Sequence, residues 1–149
     1  MKRILIADDD RILVTALASY LYERGFEPVV TFDAMHATMV LGHSDLSAAI
    51  LDINMPGGTG LEVLRRLKSN LRLAKVPVIV LTSTEDPATH AKALRLGAAT
   101  VLRKPCSNAQ LVQTLFEVIQ GAERKKTQTL TLPAKRTDFN VKYDKYRKA

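Results

Sequence analysis

Five side chains in this sequence sit where short apolar runs stop. Ile4-Leu5-Ile6-Ala7 runs into Asp8-Asp9-Asp10, and Ala48-Ala49-Ile50-Leu51 runs into Asp52. The run Val76 to Leu81 ends in Thr82-Ser83, and Thr100-Val101-Leu102 is followed by Lys104-Pro105. Carboxylates gathered at one place cost free energy unless a cation neutralises them. A hard divalent cation with oxygen ligands, most simply Mg²⁺, is the economical partner for such a group. A lysine and a hydroxyl beside it would complete a site for phosphoryl oxygens. Phosphoryl transfer depends mainly on positioning and charge neutralisation, so these few groups can suffice. Taken singly, each has a plainer reading: an Asp caps a helix, a Thr turns a chain, a Lys-Pro pair makes a surface corner. Asp8, Asp9, Asp52, Thr82 and Lys104 together at the ends of one sheet point to chemistry.

The elements that must position them follow from hydrophobic pattern. Short apolar runs without alternation fit strands covered on both faces, hence a parallel sheet under helices. Pro28 to Phe32 and Thr100 to Leu102 are weaker strands. Ile12, Leu13, Ala16, Leu17, Tyr20 and Leu21 follow helical spacing and stop at Gly25. Asp33 opens a second helix through Leu41. Thr59-Gly60 precedes a third, on Leu61, Val63, Leu64, Leu67 and Leu71. Thr84, Glu85, Asp86 and Pro87 form the start of a fourth, which Ala88, Ala91 and Leu94 continue to Gly97. Ser107 or Asn108 caps a fifth, using Leu111, Leu115, Val118 and Ile119 and stopping at Gly121. Five strands alternating with five helices give an α/β, doubly wound fold with right-handed crossovers. In such sheets ligands bind beyond the carboxyl ends of the strands, where the five side chains lie.

Composition sets the limits. The chain has 149 residues, of which 46% are hydrophobic and 25% charged, as in an ordinary globular protein. One cysteine rules out a disulfide framework and multi-cysteine zinc modules. No apolar run approaches the roughly 20 residues that cross a bilayer, and Met1-Lys2-Arg3 leads into three aspartates rather than a signal peptide. The expectation is a cytoplasmic protein with no membrane insertion. Charge divides the chain. Residues 1–121 carry 13 Lys+Arg against 12 Asp+Glu, whereas residues 122–149 carry 9 against 3. A folded domain over 1–121 and a basic tail over 122–149 are therefore expected. A tail of 28 residues is too short for a second folded domain, and a single-domain protein with a tail is favoured over a fragment.

The stretches ILIADDD at 4–10, LDINMPGGTG at 51–60, VIVLTS at 78–83 and LRLGAATVLRKP at 94–105 resemble the receiver domain of two-component response regulators. The likeness covers about residues 2–121 and is closest in kind to single-domain chemotaxis regulators. It implies a flavodoxin-like (βα)5 sheet of strand order 2-1-3-4-5. It implies that Asp52 accepts a phosphoryl group from a histidine kinase or a histidine phosphotransfer protein. Asp9 would ligate Mg²⁺ directly and Asp8 largely through water, with Asp52 and the backbone carbonyl of Asn54 completing the protein ligands. Thr82 and Lys104 would read the phosphoryl group, Lys104-Pro105 would be cis, and a downstream protein target would sense the change. Such a chain is a signalling protein rather than an enzyme, and a monomer or weak homodimer.

Several positions depart from the family pattern or stand outside it. Val101 occupies a switch position where an aromatic is common, which puts an aromatic rotamer switch in doubt. Thr59 stands where an acidic residue is common and reads as a solvated loop side chain. Thr84 and Asn54 flank the phosphoryl position and should affect its lifetime. A haloacid-dehalogenase-type phosphatase also attacks with a strand-end Asp, but it needs an Asp where Asn54 stands. His36, His43 and His90 read as surface histidines. Cys106 reads as a free thiol whose pKa a nearby cation would lower.

The tail offers an alternative output. Glu123 to Thr127 reads as a linker. Beyond it Phe139, Tyr143 and Tyr146 are spaced as one helical stripe, and Phe139, Val141 and Tyr143 fit a strand equally well. Arg136, Lys142, Lys145, Arg147 and Lys148 accompany them, so three readings stand: a solvated basic tail, docking of the aromatics on the domain or a second protomer, and binding of an anionic ligand, a nucleic acid or a nucleotide second messenger.

Overall fold

The computed structural model describes residues 1–131. The strands are β1 (Lys2–Ala7), β2 (Phe26–Thr31), β3 (Ala48–Leu51), β4 (Val78–Thr82) and β5 (Thr100–Arg103). The helices are α1 (Arg11–Glu23), α2 (Ala34–Leu41), α3 (Gly60–Ser69), α4 (Pro87–Arg95) and α5 (Asn108–Thr131). The strands form one parallel sheet in the order β2-β1-β3-β4-β5, the order the family resemblance implied. A short antiparallel ladder, Asn54–Met55 with Gly58–Thr59, follows β3.

Every residue of β3 and β4 is buried, which is why these strands read as unbroken apolar runs. The edge strand β5 is mostly half-buried, and the edge strand β2 carries Pro28, which a central strand would not tolerate. Alternate residues serve two core layers. Leu5, Leu51 and Val80 pack with Val63, Leu64 and Leu67 of α3 on one face. Ile4, Ile50 and Ile79 pack with Leu17, Leu21, Leu111 and Leu115 of α1 and α5 on the other.

Helix starts are fixed by side-chain caps. Asp10 accepts from the amide of Leu13 at 3.0 Å and Asp33 from that of His36 at 2.7 Å. Asp86 accepts from the Ala88 amide at 3.1 Å, with Pro87 at the first helical position. Ser107, rather than Asn108, caps α5 by accepting from the Gln110 amide at 3.1 Å. Each accepts an amide proton that the helix itself cannot satisfy.

Three expectations are corrected. Helix α5 does not stop at Gly121, and Glu123 to Thr127 is helix rather than linker. A mid-helix glycine costs only about 1 kcal/mol, and Ala122-Glu123-Arg124-Lys125-Lys126 are good helix formers. The helix thus crosses the expected 121/122 boundary. Leu71 lies beyond the end of α3 and is 98% exposed, while Leu73 turns inward instead. In α4 the buried residue is Ala93, and Ala88 and Leu94 face outward. The small Ala93 lets the helix approach the sheet, so the larger Leu94 is left at the rim. Arg136, Phe139, Lys142, Tyr143, Lys145, Tyr146, Arg147 and Lys148 lie outside the described residues. Among the described residues, no helix is long and apolar enough to cross a membrane.

Candidate functional site

The carboxyl end of the sheet collects the five side chains. The amide of Asp52 donates to the carbonyl of Ala7 at 2.9 Å, which carries the β1–β3 pairing one residue further and sets Asp52 beside Asp8. The amide of Lys104 donates to the carbonyl of Thr82 at 2.9 Å, extending the β4–β5 pairing in the same way. Sheet register therefore does the positioning. The Lys104-Pro105 peptide is cis.

Asp8 and Asp52 are buried, at 2% and 6% exposure, and Thr82 is fully buried. The Lys104 ammonium donates to Asp8 Oδ2 at 2.6 Å and to Asp52 Oδ2 at 3.3 Å. The second oxygen of Asp8 accepts from the Asp10 amide at 2.9 Å. Asp9 is exposed, and one oxygen each from Asp8, Asp9 and Asp52 lie within 4.8 Å of one another. The Asn54 amide reaches Asp52 Oδ1 at 3.5 Å. Thr82 Oγ1 accepts from the Thr84 amide at 3.3 Å.

Two buried carboxylates thus share one ammonium, with the exposed Asp9 beside them. Burial first, and the charge of Asp8 second, push the Asp52 carboxyl above its ordinary range, against the opposing pull of Lys104. Burial draws Lys104 down, but its hydrogen bond to Asp8 and the charges of both aspartates outweigh it and hold the lysine up. Excess negative charge on oxygen donors alone is what a hard divalent cation neutralises, so the residues fit Mg²⁺. Both oxygens of Asp8 are engaged by protein donors. Both oxygens of Asp52 are engaged as well, at the longer distances of 3.3 and 3.5 Å, and Asp9 is the exposed carboxylate of the three.

The sequence reading missed several parts of this site. A Cβ on Gly60 would fall 1.8 Å from the backbone oxygen of Asp52, so only glycine lets the first turn of α3 lie against the strand end. The sole signal was a glycine directly after a capping threonine. Thr59 is that cap, accepting from the Glu62 amide at 3.3 Å, and is not an idle loop side chain. His90 is half-buried and its Nε2 donates to the Thr84 carbonyl at 2.7 Å, tying α4 to the loop behind Thr82. Glu85 of that loop is paired with Arg103 of β5. Val101 is half-buried and packs against the core layer around α3. Burial pushes the Cys106 thiol up, the reverse of what a nearby cation alone would do.

Comparison with known proteins places this geometry. The family model "Response regulator receiver domain" matches residues 4–116. The chain is 42% identical over 104 residues to the transcriptional regulatory protein TctD of Salmonella typhimurium, covering 69% of this chain and 45% of that protein. It is 38% identical over 104 residues to the Regulator of RpoS of Escherichia coli, covering 70% of this chain and 30% of that protein. The chain therefore spans half or less of the length of these relatives. A CheY-like receiver domain protein from Methanospirillum hungatei superposes with a TM-score of 0.80 at 25% identity, over 84% of this chain and 98% of that one.

Proposed function

This chain belongs to the response regulator receiver domain family, and from that premise we propose that Asp52 is the phosphoacceptor of a two-component switch. The observation that carries the reading is the Lys104 ammonium shared between Asp8 and Asp52, beside the exposed Asp9. A carboxylate oxygen of Asp52 attacks the phosphorus of a phosphohistidine on a kinase or phosphotransfer protein. The P–N bond breaks, the imidazole leaves with the bonding pair, and an acyl phosphate forms on Asp52. Asp9, Asp52 and the Asn54 carbonyl would hold Mg²⁺ directly, with Asp8 behind them, and the metal would supply charge neutralisation to the incoming phosphoryl oxygens. Lys104 is already placed to follow the charge, because its ammonium needs only to exchange Asp52 Oδ2 for a phosphoryl oxygen. Thr82 would turn its hydroxyl toward the same group, and the linked loop and α4 would move with it. Water later cleaves the acyl phosphate and resets the switch. The output is a changed contact with a downstream protein.

The test is incubation with Mg²⁺ and a small phosphodonor, followed by intact mass. Wild type should gain one phosphoryl group, and Asp52→Asn or added chelator should abolish the gain. Unchanged labelling of Asp52→Asn would move the acceptor elsewhere.

A further inference from the structure

The opposite end of the sheet holds a second, differently charged feature. A cleft of about 530 Å³ opens where β4 and β5 begin, between the end of α3 and the part of α5 that runs past Gly121. Lys68, Lys75, Lys125 and Lys126 line it, and among the described residues no carboxylate does. Its floor is small and apolar, with Pro77 and Ala98 buried and Val118, Gly121 and Ala122 half-buried.

Lys68 is a prepared cation. Its stem lies against Gly97, where a Cβ would come within 3.2 Å of three of its carbons, and the positive φ of Gly97 lets the chain turn there. Its ammonium donates to the carbonyls of Ala74 at 3.1 Å and Val76 at 2.9 Å. An ammonium has three protons, so one remains for a ligand. Because the side chain is already fixed, a ligand meeting it avoids most of the usual ordering cost. Burial first and the charge of Lys125 second hold Lys68 below the ordinary lysine range, so cations crowd this cleft as anions crowd the other end.

We infer that this cleft is a binding site for a small polyphosphate anion, with the lysines taking the phosphate oxygens. The volume falls within the roughly 300–1,000 Å³ of small-molecule sites. The apolar floor can also carry a ring, so the polyphosphate could be inorganic or nucleoside-borne, and the test separates the two.

The experiment is titration calorimetry of the full chain at 0.15 M salt with inorganic tripolyphosphate and, in parallel, ATP without metal. Saturable one-site binding is expected, at least tenfold tighter for tripolyphosphate than for orthophosphate. Tighter binding of ATP than of tripolyphosphate would assign the nucleoside-borne source, and weaker binding the inorganic one. Lys75→Gln with Lys126→Gln should weaken binding at least tenfold. Lys92→Gln with Arg95→Gln, which removes the same charge from the exposed face of α4, should change it less than twofold. Lys68→Gln serves as a further variant, read only if its melting is unchanged, and Lys75→Gln with Lys126→Gln keeps the test decisive otherwise. Equal losses in the cleft and α4 variants would show non-specific attraction to a basic protein and overturn the site. So would absence of tripolyphosphate binding at 1 mM (~10-fold the roughly 0.1 mM dissociation constant of a modest site). Tighter binding of a glutamate-rich peptide than of tripolyphosphate would reassign the cleft to an acidic protein partner.

Discussion

The two ends of the sheet solve opposite electrostatic problems. At the carboxyl end Asp8 and Asp52 share one lysine beside the exposed Asp9, and the two buried carboxylates stand on neighbouring strand ends in the middle of the sheet. At the amino end four lysines converge on a cleft that no carboxylate among the described residues lines. The acidic end is built by sheet register, because Asp8, Asp52 and Lys104 directly follow strands, Thr82 ends one and Asp9 comes one residue after Asp8. The basic end is built by a helix terminus, a loop and the continuation of α5. An end built by register is stiff, and losing one of its parts should be felt by the whole fold. An end built by separate helix and loop residues should lose its parts one at a time.

The hardest blow to the acidic end should come from Gly60→Ala. The added carbon would overlap the Asp52 carbonyl oxygen, which is backbone and cannot rotate away. Helix α3 would have to withdraw with Val63, Leu64 and Leu67, all fully or almost fully buried. A loss of about 3 kcal/mol or more is expected in urea unfolding, if the variant folds at all. Less than about 1 kcal/mol would mean that the strand end tolerates displacement and that register is not what holds it.

Next in size is Lys104→Met. It removes the Lys104 ammonium that Asp8 and Asp52 share and leaves both carboxyls buried, for which a loss of about 2–4 kcal/mol is expected at pH 7. Lys104 has a raised pKa in the folded state, so its contribution is complete below the unfolded value and fades as pH rises through the folded one. The deficit of the variant should therefore vanish in strong alkali. It should also shrink at low pH, where Asp52 takes up a proton. A deficit that does not vary with pH would show that the methylene stem, not the charge, is what matters.

A smaller effect of opposite sign is expected for Asp52→Asn. The folded-state pKa of Asp52 lies above 3.8, so the native state binds the extra proton and stability falls as pH rises through that raised value. The amide removes this cost at neutral pH. In the presence of a chelator the variant should melt about 2–4 °C higher at pH 7, with the gain lost below the ordinary carboxylate range. A lower melting temperature at pH 7 would make the carboxylate a net stabiliser through Lys104.

These differences explain what could be read in advance. The acidic end was legible because a buried strand is an apolar run and its functional residue is the first polar one after it. Asp8, Asp9, Asp52, Thr82 and Lys104 need no knowledge of packing to be found. The helix starts at Asp33 and Asp86 were legible for a similar reason, since the capping side chain adjoins the element it caps. Gly60 was not, because its requirement is a contact with the backbone of Asp52, and a glycine shows nothing of what approaches it. His90 was hidden by a contact with Thr84 that only the path of the loop reveals. The basic cleft was illegible altogether. Lys68 and Lys75 come from one segment and Lys125 and Lys126 from another, and Gly121 invited a helix stop between the last pair and the domain.

The finest comparison is between two ion pairs of equal length. Lys104 and Asp8 meet at 2.6 Å with side chains 18% and 3% exposed. Lys2 and Glu123 also meet at 2.6 Å, at the other end of the molecule, with side chains 47% and 60% exposed. Distance alone would rank them together. Water around the second pair screens its attraction, and both long side chains lose rotamer freedom to make it, so exposed pairs contribute between about 0 and 1 kcal/mol. Glu123→Gln should therefore cost less than about 0.5 kcal/mol in urea unfolding, and nothing measurable in 1 M salt, where the Debye length is about 3 Å. The part of α5 beyond Gly121 would then be held by its own helix propensity, with the Lys2 contact incidental. If Glu123→Gln instead cost as much as Lys104→Met, the continuation of α5 would be locked to the start of β1. The amino end would then be as integral to the fold as the acidic end, and the contrast between the two would fail.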